Sequence, residues 1–108
     1  MGKILSFEEI VKTVKPIADK YKIQAIYLFG SYARKEQTEE SDLDFLVYGG
    51  EDFKLTRILS LAEELRKELK KDVDVFEIRE VNRNSDLYKT IMKEKVLVGE
   101  FFEPEKGV

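Results

Sequence analysis

Two apolar runs in this chain carry carboxylates inside them. Asp42 and Asp44 open the run Leu43 to Tyr48, and Asp74 lies between Val73 and Val75. An unpaired carboxylate is costly to bury, so strands built this way must face a cleft or a partner. Strand side chains alternate between faces, so positions 42 and 44 point the same way. If the runs 42–48 and 72–78 form neighbouring strands, Asp74 joins Asp42 and Asp44 on one face.

The remaining pattern supplies the elements around those strands. Ser6-Phe7-Glu8-Glu9 is a capping box ahead of Ile10, Val11, Val14, Ile17, Ala18 and Tyr21, which recur at helical spacing. The spacing predicts a helix over 7–21, kinked at Pro16. The β-branched and aromatic run 23–29 predicts a buried strand, broken by Gly30-Ser31, with a short helix beginning at Tyr32-Ala33-Arg34. A polar loop over 35–41 leads to the strand 42–48, which Gly49-Gly50 ends. Asp52 is the expected cap of a helix with the stripe Leu55, Ile58, Leu59, Ala62, Leu65 and Leu69. A third strand is expected over 73–78, irregular chain over 79–86, a short helix over 87–94, a strand over 96–98 and a loose tail over 103–108. This order predicts an α/β fold, a small mixed β-sheet with helices packed on it. With 108 residues, 43% of them hydrophobic, the expectation is one domain spanning 1–108.

Composition narrows the chemistry. The chain has no Cys and no His, which excludes disulfides, thiolate metal sites and imidazole catalysis. Any general base is then a carboxylate, Lys, Tyr or water. A net charge of −3 disfavours nucleic acid as a partner. No apolar run approaches the length of a membrane span, and no signal peptide is visible, so the expected location is the cytoplasm.

Clustered carboxylates repel unless a cation lies between them, and hard oxygen ligands suit Mg²⁺. Asp42, Asp44 and Asp74 on one sheet edge can hold two Mg²⁺ ions around a nucleoside triphosphate. Gly30 lets the backbone approach a phosphate, the Ser31 hydroxyl can hold it, and Arg34 can neutralise its charge.

The motif Gly30-Ser31, ten residues, then Asp42-x-Asp44, with Asp74 one strand later, resembles the minimal nucleotidyltransferases of the DNA polymerase beta superfamily. The segments 27–34, 41–47, 73–75 and 91–97 all resemble the family, over nearly the whole chain. The resemblance implies a polymerase-beta-like core and transfer of AMP from ATP to an acceptor hydroxyl. In that family Asp42 and Asp44 would bind both metals, while Asp74 would bind the second and assist deprotonation. The resemblance also implies a protein partner, a helical HEPN-type toxin for which the chain is antitoxin, with a toxin tyrosine as acceptor. Assembly with that partner, or with further copies of itself, is compatible with this reading. Two positions depart from the pattern: Lys35 and Lys95 stand where the family usually has Gly.

Plainer readings stand beside these. Asp42 and Asp44 could begin a solvated strand, Asp74 could face solvent, Ser31 could only end its strand, and Arg34 could cap a helix or pair with a nearby Glu. For the whole chain, the alternative is a non-catalytic module that neutralises a helical partner by occlusion.

Overall fold

The computed structural model describes residues 3–101. The tail expected over 103–108 lies outside the described residues. Helix α1 spans Phe7–Tyr21, strand β1 Ala25–Phe29 and strand β2 Leu43–Tyr48. A 3₁₀ turn at Leu55–Arg57 leads into α2, Ile58–Leu69. Strand β3 covers Val73–Glu77, a 3₁₀ turn Ile78–Glu80, α3 Asp86–Glu94 and β4 Val96–Glu100. The sheet order is β3-β2-β1-β4, with β2 and β3 parallel and the other pairs antiparallel. The α/β fold with a mixed sheet is therefore as expected.

Alternation along each strand sorts the two faces. Ile26, Leu28, Leu43, Phe45, Val47 and Val73 point to one face and pack with the buried stripes of α1 and α2. Burying each large aliphatic side chain there contributes roughly 1.5–3 kcal/mol. Phe29 and Leu46 point to the other face and pack with Ile91 of α3 and with Val81. Asp44 and Asp74 share the parity of Leu46 and Phe76, so they lie on the α3 side of the sheet.

Local chemistry explains where elements begin and end. The capping box is present: Ser6 Oγ accepts from Glu9 N–H at 3.0 Å, and Glu9 Oε1 accepts from Ser6 N–H at 2.9 Å. Helix α1 continues through Pro16 as a single element. Strand β1 begins at Ala25 rather than at 23, because the chain is still closing α1 there. Lys22 is a left-handed cap, and Ile23 N–H reaches back to Ala18 C=O at 3.3 Å.

Asp52 does not cap the second helix. It lies in a turn closed by Phe53 N–H on Gly50 C=O, and the helix enters through the 3₁₀ turn with Lys54 as an uncapped N-cap. Strand β3 stops at Glu77, whose side chain turns back to cap the following 3₁₀ turn. Ser85 caps α3, which begins at Asp86, one residue before its expected start. Strand β4 runs two residues beyond its expected end, to Glu100, paired with Ala25 of β1. Among the described residues, no helix is long and apolar enough to cross a membrane.

Candidate functional site

Register brings the sequence-predicted residues together at one end of the sheet. Asp44 is opposite Asp74 across the parallel β2/β3 pair and opposite Phe29 across the antiparallel β1/β2 pair. Gly30 follows Phe29 with φ +80° and lies so close over Asp44 that an added Cβ would collide with its Oδ2. Only glycine meets both demands at this position. Asp42 immediately precedes β2 rather than lying within it. It is placed by a turn in which Ser41 Oγ accepts from Thr38 N–H at 2.8 Å, and by Leu43 N–H bonding Asp72 C=O at 3.0 Å. Lys71 anchors the approaching loop, donating to Glu39 C=O at 3.0 Å and to Lys3 C=O at 2.8 Å.

The Gly-Ser turn is compact. Arg34 N–H bonds Gly30 C=O at 3.1 Å and Glu36 N–H bonds Ser31 C=O at 2.9 Å. The short helix expected at 32–34 is thus one hydrogen-bonded turn, and Lys35 ends it with φ +60°. The left-handed conformation that glycine would adopt freely is adopted here by lysine, at a cost of about 1–2 kcal/mol. Tyr32 points to the core and its hydroxyl accepts from Leu5 N–H at 3.3 Å.

Electrostatics mark Asp44 as the centre of the cluster. Burial first, then the charges of Asp74 and Asp42, push its carboxyl up to about 6 from 3.8. Arg34 opposes that rise, and Glu94 adds to it. Among the described residues, no three acidic side chains converge tightly enough to cage an ion by themselves. Mg²⁺ commonly takes only one or two carboxylates and fills its shell with water and substrate phosphates. Hard oxygen donors that repel one another around Asp44 therefore fit such a cation.

Arg34 is engaged by two carboxylates. Its Nε donates to Glu36 Oε1 and its Nη1 to Glu94 Oε1, both at 3.0 Å. Glu94 Oε1 also accepts from Gly30 N–H at 3.0 Å. Sequence reasoning missed Glu94 as a member of the site. The available signal was a carboxylate on the last residue of a helix, where the macrodipole disfavours it. Glu77, buried at 1% exposure, lies on the opposite face of the sheet and is no part of this cluster.

Comparison with known proteins identifies a family and several relatives. The family described as "Polymerase beta, Nucleotidyltransferase" matches residues 12–101. A Methanocaldococcus jannaschii protein, named as a candidate protein adenylyltransferase, is 39% identical over 101 residues, covering 91% of this chain and all of the relative. The protein adenylyltransferase MntA of Thermococcus cleftensis is 32% identical over 99 residues, covering 88% of this chain and 98% of its own. Among solved structures, a toxin–antitoxin crystal structure with AMP-PNP superposes with a TM-score of 0.72 at 25% identity. That match covers 83% of this chain and 73% of the other.

Proposed function

The chain belongs to the polymerase beta nucleotidyltransferase family, and from that premise we propose that it transfers AMP from ATP to a tyrosine hydroxyl of a helical HEPN-type toxin, acting as its antitoxin. The observation that carries this reading is the pairing of Asp44 with Asp74 directly beneath the Gly30 turn. The similarity to named protein adenylyltransferases and to a toxin–antitoxin structure with AMP-PNP supports it.

Each residue then has a task that its position suits. Asp42, Asp44 and Asp74 would hold two Mg²⁺ ions, which when bound supply charge neutralisation for the triphosphate and the acceptor oxygen. Gly30 admits a phosphate close to the backbone, and Ser31 and Arg34 hold it. With no His in the chain, a carboxylate takes the acceptor proton, and Asp74 is the exposed one on β3. The tyrosine oxygen attacks the α-phosphorus. A new P–O bond forms, the bond to the β-phosphate bridge breaks, and pyrophosphate leaves with that electron pair.

Intact-mass spectrometry of the co-expressed partner tests this. A gain of one or more AMP units is expected with the wild-type chain and none with Asp42→Asn/Asp44→Asn. A partner unmodified by either form, yet bound by both, would point to occlusion instead. One observation favours that second reading. An apolar groove of about 500 Å³, lined by Leu5, Phe7, Ile10, Leu28, Tyr32 and Val96 among others, opens beside the Gly-Ser turn.

A further inference from the structure

Helix α3 ends on a residue that its own backbone disfavours. Glu94 closes the helix, where the macrodipole makes a carboxylate costly by about 0.3–1 kcal/mol. Its side chain is also largely withdrawn from water, at 17% exposure. It stands near Asp44, where a further negative charge is unwelcome. A residue that breaks several local rules at once is held there by some other gain.

That gain converges on one oxygen. Glu94 Oε1 accepts from Gly30 N–H and from Arg34 Nη1, each at 3.0 Å. The two ends of this link differ in exposure. Glu94 lies one turn from Ile91, which is fully buried, and Lys95 N–H closes on Ile91 C=O at 2.9 Å. Arg34 stands on an exposed turn with its side chain 44% exposed. The carboxylate is the more enclosed member, and it joins the backbone of the turn to its guanidinium. Among the described residues only Nε and Nη1 of the guanidinium are engaged. The rest of its five-donor fork can meet a phosphate without displacing Glu94.

We propose that Glu94 is a positioning residue for the nucleotide phosphates, fixing the Gly30 amide and the Arg34 guanidinium in their binding arrangement before the nucleotide arrives. The proposal rests on the nucleotidyl-transfer reading above. It also gives α3 a part in nucleotide binding, through a residue outside the signature motif.

Calorimetric titration of the full chain with Mg-ATP, beside a thermal-unfolding curve for each variant, tests it. Glu94→Ala is expected to weaken ATP binding about tenfold. Glu94→Gln, which keeps an oxygen acceptor at the same reach, is expected to recover most of that loss. The double variant Arg34→Ala/Glu94→Ala should bind about as well as Arg34→Ala alone, because Glu94 acts through the same turn. Tighter binding by Glu94→Ala would overturn the proposal, showing a carboxylate that competes with phosphate. Fully additive losses would overturn it too. If Glu94→Ala does not fold, Glu94→Asp replaces it: the charge remains but the shortened arm cannot reach both donors, so binding falls while Glu94→Gln retains it. Equal binding by Glu94→Asp and wild type would then contradict the proposal. If the wild-type chain does not bind Mg-ATP, the functional reading fails; if it binds and Arg34→Ala binds equally well, the phosphate role of the turn fails and this proposal with it. A loss in Arg34→Ala with none in either Glu94 variant removes only the role of Glu94.

Discussion

Glu77 and Asp44 are carboxylates in neighbouring strands of one sheet, yet their surroundings are opposite. Glu77 points to the side of α1 and α2 and is 1% exposed. Its Oε2 accepts from Gly49 N–H at 3.0 Å, and its Oε1 from Arg79 N–H at 2.7 Å and Arg79 Nε at 3.0 Å. Arg79 also ties itself to Phe53 C=O at 2.8 Å. Asp44, on the α3 side, is less buried but is surrounded by its own kind, and its carboxyl rises to about 6. A buried charge with a complete set of donors belongs to the fold. One facing other carboxylates beside a glycine turn suits the cation-binding role proposed for it above.

The difference can be broken from either side. Replacing Asp42 and Asp44 with Asn should abolish AMP transfer, by at least on the order of 10³-fold, while the circular-dichroism spectrum stays that of the wild type. Glu77→Ala should do the reverse. It leaves Gly49 N–H and Arg79 without their acceptor and should cost about 3 kcal/mol of stability in urea unfolding. Transfer per folded molecule should be unchanged.

The pH dependence of the metal-free protein sharpens the contrast. Asp44 has a folded-state value of about 6 against 3.8 for a free carboxyl. A raised value means that the folded state favours the protonated form. This contribution to stability is therefore full at pH below 3.8 and is lost as pH rises through about 6. Asp44→Asn escapes that loss. It should be more stable than wild type above pH 6 by about 1 kcal/mol, discounted for partial exposure, with the advantage vanishing in acid. Added Mg²⁺ should raise the unfolding temperature of wild type and leave that of Asp44→Asn nearly unmoved. The smallest effect is expected at Lys35, whose left-handed conformation glycine would relieve while adding entropy to the unfolded chain. Lys35→Gly should stabilise by no more than about 1 kcal/mol in the same unfolding assay.

What was legible in the sequence was local or carried by composition. The Ser6–Glu9 capping box, the α1 and α2 stripes and the alternation around Asp44 and Asp74 need only nearest neighbours and period. The Gly30-Ser31 turn was legible as a break after an apolar run, but its close approach to the Asp44 side chain was not. What sequence could not show was made by contacts between distant segments. The parallel register that sets Asp44 opposite Asp74 depends on where α2 returns the chain. The roles of Glu94 and Glu77 depend on donors far from them in the chain. Lys35 and Lys22 adopt positive φ because hydrogen bonds of the preceding turns hold them there, against their own preference.

The most direct test of the central claim uses ATP labelled in turn on its α- and γ-phosphates, incubated with Mg²⁺, the purified chain and the purified helical protein proposed as its acceptor. Nucleotidyl transfer predicts that label from the α-position enters the partner and label from the γ-position leaves as pyrophosphate. Label entering from the γ-position, or from neither, would contradict the account.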